Sequence, residues 1–241
     1  MRGARGAGTL RPMIEEPAAL RIARDRPMPD PTLVAALAPH PTGFVLDAML
    51  GAGAMDAAVK PLPGLPHRLC GPALTVGNRA GDILATLAAL ELVEAGQVVV
   101  AAFEGHRACA AAGDRALGML RNAGAAGFVT DGPLRDLDGL AAVGLPAFCT
   151  GLTPGSPVAR GPGTVGLPVV VGGVSVATGD VIVGDRDGVV VVPRAQLPKV
   201  VRAVERVAAA ESALDAEVAE GRRSVDPIRR MVETGDGVEW V

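Results

Sequence analysis

Between Gln97 and Thr150 the chain repeats one pattern. Three short apolar runs, QVVVAAF, AGFVT and PAFCT, alternate with two segments of helical spacing, RACAAAGDRALGMLRNAG and RDLDGLAAVG. Strands separated by helices at this spacing imply βαβ units and a parallel sheet. Upstream, PTLVAALAPH and TGFVLDAML predict two short helices, and a proline-broken stretch ends in a strand through Leu74–Val76. DILATLAALELVEAG carries Leu84, Leu87, Leu90 and Leu92 near helical spacing, with Gly96 as its stop. After Thr150 helical periodicity disappears. Short β runs are punctuated by GG, TGD and DRDG, each of which predicts a hairpin turn. A long amphipathic helix over 195–223 closes the chain, and the tail beyond it carries no clear pattern. The expected organisation is a loose arm over 1–30, one domain over 31–222 and a tail over 223–241. No internal repeat interrupts it.

Composition narrows what such a domain does. Hydrophobic residues make up 49% of the 241 but aromatics only 2%, with no tyrosine, so the core is built from Val, Leu, Ala and Ile. A chain of this size buries enough surface to need no disulfide or metal staple. Acidic residues outnumber basic ones, 26 to 23, for a net charge of -3. That balance gives no electrostatic reason to bind nucleic acid, and stacking residues are scarce. Cys70, Cys109 and Cys149 are scattered without a CxxC spacing, as expected of free buried thiols in a reducing compartment. The N-terminus lacks the apolar core of a signal peptide, and no run approaches the roughly 20 apolar residues that span a bilayer. A soluble, cytoplasmic protein is expected.

Most motif matches fail on context. GPGTVG, Gly161–Gly166, is a literal G-x-G-x-x-G, but prolines flank it and a β run follows where a helix is needed. It is expected to be a loop. DRDG, with Asp185 and Asp187, lacks the further ligands of a calcium loop. His40, His67 and His106 have no metal-ligand spacing, and no Ser/His/Asp signature exists.

Charge is concentrated at two places in the parallel region, Gly113 to Gly118 in AAGDRALG and the turn TDGPLRD. In open parallel sheets, ligands gather beyond the carboxyl ends of the strands. GFVT ends where DGPLRD begins, which puts Arg135 and Asp136 in that crevice. A surface ion pair near a helix start, worth under about 1 kcal/mol, explains the two charges as well as a functional role does. Spacing leaves both open.

At these residues the sequence resembles the RraA-like family, which includes 4-hydroxy-4-methyl-2-oxoglutarate/4-carboxy-4-hydroxy-2-oxoadipate aldolases. The resemblance covers about residues 30–220. It rests on GPALTV, on the D-x20-R-D spacing of Asp114, Arg135 and Asp136, on GLTPGSPVARGPG and on VGGVSVATGDVIVGDRDGVVVVP. It implies an α/β protein of the β/β/α swivelling-domain fold, a homotrimer or dimer of trimers, and a site between subunits. It also implies a metal-dependent lyase that cleaves a small 2-oxo acid to pyruvate through an enolate, by aldol cleavage or oxaloacetate decarboxylation. Asp136 would ligate Mg²⁺ or Mn²⁺ largely through water. Arg135 would bind the pyruvoyl portion and stabilise the enolate. Asp114 would orient or deprotonate a water on the metal. Backbone N–H groups around Gly113, Arg115 and Ala116 would hold the substrate carboxylate, and Glu211 would reach the metal's waters from a neighbouring subunit. No Schiff-base lysine is required.

Two positions depart from the aldolase pattern. The family usually has an acidic residue at R-D-x-x-E/D, where this chain has Gly139, with Asp138 one place early. Arg115 replaces a more usual apolar residue after Asp114. A non-catalytic regulator, as with family members that inhibit ribonuclease E, and a lyase repurposed for another oxo acid are the alternatives. The intact Asp114/Arg135/Asp136 set favours an enzyme.

Overall fold

The computed structural model describes residues 17–241. Its elements begin with β1 (Leu20–Ile22), α1 (Pro31–Leu37), α2 (Thr42–Ala48), β2 (Lys60–Pro61) and the long β3 (Leu69–Gly77). The alternating region follows as α3 (Leu84–Ala89), β4 (Val98–Ala102), α4 (Asp114–Asn122), β5 (Gly127–Thr130), α5 (Leu137–Val143) and β6 (Ala147–Cys149). The β-rich block supplies β7 (Gly163–Val165), β8 (Val169–Val171), β9 (Val174–Val176), β10 (Val181–Asp185) and β11 (Gly188–Val192). The chain closes with α6 (Leu197–Ala219) and α7 (Asp226–Thr234).

β3, β4, β5 and β6 pair in parallel and in sequence order, as the alternation predicts. β3 is shared between two arrangements. Its second half, Ala73–Gly77, pairs parallel with β4, while Leu69–Pro72 pairs antiparallel with β10. β10 and β11 form the hairpin predicted at DRDG, and β8 and β9 the one predicted at Gly172-Gly173.

Strand alternation distributes the core. Val99 and Ala101 of β4 join Leu74, Val76 and Phe128 under α3, α4 and α5. Val98, Val100 and Ala102 face the other way, onto Val171, Val176, Ile182 and Val191 of the β block. A third cluster packs Val181, Val183, Val190 and Val192 against Leu37, Val45, Leu197 and Val200 of α1, α2 and α6. The result is helices on a parallel sheet, a second β layer, and helices again. This is the expected α/β arrangement with β ribbons and a C-terminal helix, and Val and Ala fill it in place of aromatics.

Several elements differ from expectation. Residues 107–113 are not helical; α4 begins only at Asp114, because the 110–112 backbone is drawn into bonds with the 133–135 and 155 segments. The helix expected over 82–96 is regular only over Leu84–Ala89. TGD is a turn but not a hairpin: β9 pairs with β8, β10 with β3 and β11, and Gly179 N–H donates to the Ala73 carbonyl (2.9 Å). GPGTVG is only half a loop, since Gly163–Val165 pairs parallel with β1 and antiparallel with β3. Residues 1–16 of the expected arm lie outside the described residues, whereas Leu20–Ile22 is a strand. In the tail, Asp226–Thr234 is helical. Among the described residues no helix is long and apolar enough to cross a membrane.

Candidate active site

Beyond the carboxyl ends of β4 and β5 parallel pairing resumes in a new register, at isolated bridges that join Ala112 to Leu134 and Leu134 to Leu152. Ala111 N–H donates to the Pro133 carbonyl (2.8 Å) and Arg135 N–H to that of Ala112 (3.2 Å). Leu134 N–H donates to the Gly151 carbonyl (2.9 Å), and Ala110 N–H to that of Gly155 (3.0 Å). Three loops distant in sequence therefore run side by side. They deliver Gly113 with Asp114, Arg135 with Asp136, and Ser156 to one cavity of about 530 Å³, within the range of small-molecule sites.

Asp131 builds this platform rather than serving the cavity. Its carboxylate accepts the Phe103 N–H (2.6 Å) and the Gly105 N–H (3.0 Å), which fixes the loop after β4. Gly132 packs so closely on Phe103 that a Cβ would lie 2.5 Å from the ring.

Arg135 is held from two sides. Its Nε lies 3.2 Å from Asp136 Oδ2, and its Nη1 donates to Ser156 Oγ (2.6 Å). The side chains are 36% and 45% exposed, so the ion pair adds under about 1 kcal/mol of stability. What it fixes is orientation. Asp136, the N-cap of α5, adopts φ 65° and ψ 52°. A left-handed conformation costs a non-glycine residue about 1–3 kcal/mol and recurs at functional sites. Asp136 is exposed, and among the described residues its second carboxylate oxygen has no hydrogen-bond or ion-pair partner.

Two glycines make room for these charges reciprocally. A Cβ on Gly113 would lie 2.7 Å from Asp136 Oδ2 and 3.2 Å from Arg135 Nε. A Cβ on Gly139 would lie 2.7 Å from Asp114 Cβ and 2.8 Å from its Cγ. Each helix start thus receives the carboxylate of the other. Asp114 Oδ1 also accepts its neighbour's Arg115 N–H (2.7 Å), so that backbone donor is engaged, and the adjacent Ala116 is buried. Ile83, Leu87 and Met119 add apolar surface to the same cavity.

The expected residues Gly113, Asp114, Arg115, Ala116, Arg135 and Asp136 all line this cavity. Glu211 does not. It stands half-buried on α6, whose residues contribute nothing to the lining within the same chain. Ser156 is the residue that sequence reasoning overlooked; it sits in a motif used only as a resemblance, and nothing local ties it to Arg135. His106 stacks edge-on to Phe103 at 5.6 Å and stays outside the cavity lining.

Asp82 supports the third loop from below. Burial pushes its carboxyl up, but N–H donation from Leu84, Arg160 and Gly161, with the Arg160 charge, holds it below the usual range. Those bonds are 2.8, 2.6 and 2.9 Å. The cysteines are free. Burial raises all three thiols, Cys70 to about 11 against the opposing pull of Arg68, so none is a thiolate nucleophile at neutral pH.

Among the described residues no group of three or more His, Cys, Asp or Glu could hold a metal ion. Asp136 alone suits a hard cation that keeps most of its waters and binds through one or two carboxylates plus substrate oxygens. It does not suit zinc, which takes three or four protein ligands.

Strands of a parallel sheet that present an arginine–aspartate pair at a polar cavity define an α/β protein with an enzyme-like site. A solved structure of an uncharacterized protein from Pseudomonas syringae pv. tomato shares that fold, with a TM-score of 0.70 over 82% of this chain and 96% of that one at 24% identity. The structure of Streptomyces coelicolor RraAS2, described as an unusual member of the RNase ES inhibitor RraA protein family, has a TM-score of 0.63. It is 28% identical and covers 80% of this chain and 96% of its own. A protein of Halalkalibacterium halodurans named "Putative 4-hydroxy-4-methyl-2-oxoglutarate aldolase" is 37% identical over 75% of this chain and 85% of its own. Residues 42–191 match the RraA-like family, Aldolase/RraA, and the chain belongs to it.

Proposed function

We propose that this protein is a divalent-metal-dependent lyase that cleaves a small 2-oxo acid to pyruvate. The observation that carries this reading is the convergence of Asp114, Arg135 and Asp136 on one cavity, with Arg135 oriented by Asp136 and Ser156. A protein that acts only by binding another protein has no use for that cluster. The aldolase name carried by the Halalkalibacterium halodurans relative supports the same reading.

Both retro-aldol cleavage and β-decarboxylation break a carbon–carbon bond and leave the electron pair on a pyruvate enolate. The work of the site is to stabilise the oxyanion that develops at the 2-oxo group. Arg135 supplies N–H donors and a fixed positive charge for it. Asp136 would hold Mg²⁺ or Mn²⁺, which when bound supplies a Lewis acid for the substrate's oxygens. Asp114 serves as proton acceptor: in the aldol reaction it takes up the 4-hydroxyl proton, directly or through a water, as the carbonyl product leaves. The enolate is then protonated to pyruvate. In decarboxylation CO₂ leaves and no hydroxyl proton need be removed.

Pyruvate release from 4-hydroxy-4-methyl-2-oxoglutarate and from oxaloacetate tests the proposal, with Mg²⁺ and with chelator. Metal-dependent release from either substrate is expected. Release from neither would remove the reading.

A further inference from the structure

We propose that the protein carries a second ligand site, separate from the active-site cavity, which takes a small organic phosphate monoester. A cavity of about 430 Å³ lies where β2, the loop after it and the tip of the β10–β11 hairpin meet, at the β2 edge of the sheet. It shares no lining residue with the active-site cavity. Each of the three elements brings one nitrogen-bearing side chain to it: Lys60 from β2, His67 from the loop and Arg186 from the hairpin tip. No aspartate or glutamate is in the lining.

The surrounding acids do not neutralise it. The Asp185 carboxylate accepts the Thr42 N–H and Oγ1 (both 2.7 Å) and the Asp187 N–H (2.9 Å), and the Arg68 charge acts on it as well. Asp187 meets Lys60 with its carbonyl, which accepts from Nζ. Among the described residues no acidic side chain lies within 4.0 Å of Lys60, His67 or Arg186. With Asp187 counted against them, Lys60 and Arg186 still leave one positive charge, and His67 adds an N–H donor.

The floor beneath these groups is apolar and fixed. Leu62 and Leu65 line the cavity from within the core. Pro61, Pro63 and Pro66 restrict the loop between Lys60 and His67, and the bond from Lys60 to Asp187 ties that loop to the hairpin tip. The donors are therefore placed before a ligand arrives, which lowers the cost of binding it. A phosphate offers three strong acceptor oxygens, one for each of three donors on separate elements. A carboxylate is already satisfied by the fork of a single arginine. A bare ion would leave Leu62 and Leu65 uncovered, whereas the organic body of an ester covers them. The volume is within the range of small-molecule sites.

Calorimetric titration of the whole chain in metal-free buffer with phenyl phosphate, benzoate and inorganic phosphate tests the site. Phenyl phosphate should bind about tenfold or more tightly than benzoate, the effect of one added hydrogen bond to a charged group. It should also bind more tightly than inorganic phosphate, which has no body to lay on the leucines. Lys60→Gln and Arg186→Gln should each weaken phenyl phosphate by about tenfold with an unchanged circular dichroism spectrum. Arg135→Ala, the control for binding in the active-site cavity, should change it by less than about twofold. Absence of binding, binding that survives both substitutions, or binding that Arg135→Ala abolishes would overturn the proposal. Equal affinity for inorganic phosphate would overturn the choice of an ester. Pyruvate release enters none of these readings, so the lyase reading stands or falls on its own test.

Discussion

Gly139 is in contact with Asp114: the missing side chain of one is the space occupied by the other, and a Cβ would come within 2.7 Å of the Asp114 Cβ. The position where the R-D-x-x-E/D pattern expects an acid is therefore used here to seat a carboxylate from the neighbouring helix. Gly139 sits in a regular helical turn, so alanine fits the backbone and only the contact changes. Gly139→Ala should cost about 1–3 kcal/mol by overpacking, and Gly139→Glu should add like-charge repulsion. Thermal unfolding reads the first effect. A drop of about tenfold or more in pyruvate release reads the displacement of Asp114.

Arg135 carries the charge that meets the enolate. Arg135→Ala should lower kcat by about 10²–10³, the effect of removing one oxyanion donor, with an unchanged circular dichroism spectrum. Ser156→Ala should give a smaller loss in kcat at similar KM, and Ser156→Thr should recover it, because only the hydroxyl contact to Nη1 is at stake. Steady-state kinetics on the three variants separates charge from positioning.

Asp136 should be the residue on which metal dependence hangs. Asp136→Asn should shift the Mg²⁺ activation curve to higher concentration by about tenfold or more, since a neutral amide is a weaker ligand for a hard cation. The same change loosens Arg135, so kcat should also fall at saturating metal. An unaltered metal titration would remove Asp136 as the ligand.

Acid should loosen the scaffold at Asp82 and Asp185. In both, burial pushes the carboxyl up, but hydrogen bonds outweigh it and hold the folded group below its ordinary value. At Asp185 the donors include Thr42 N–H and Oγ1, both at 2.7 Å. A depressed carboxyl contributes stability in full above the unfolded value of about 3.9, and loses it as pH falls through the folded value. The melting temperature should therefore be flat near pH 6 and fall below about pH 4. Asp82→Asn should lower it at pH 7 by the cost of a weakened buried acceptor, about 1–3 kcal/mol, and make the acid slope shallower.

Local sequence determined the parallel core and most of the site's composition. QVVVAAF, AGFVT and PAFCT are short apolar runs that alternate with helical segments and so read as buried strands. The end of GFVT placed Arg135 and Asp136 at the sheet's carboxyl edge, whereas Asp114 was expected within a helix and its place at that edge came from the fold. Tertiary structure decided the rest, because it depends on contacts across long separations. Nothing near residue 107 shows that 107–113 is held extended by bonds to the 133–135 and 155 backbone. Nothing near Ser156 shows that its hydroxyl anchors a guanidinium 21 residues earlier. TDGPLRD is in this sense two devices in one turn. Asp131 fixes the preceding strand's loop, while Arg135 and Asp136 become a site only when Gly113, Gly139 and Ser156 arrive from elsewhere in the chain. Charge and periodicity are written locally, whereas the space a glycine vacates acquires meaning only when another helix fills it.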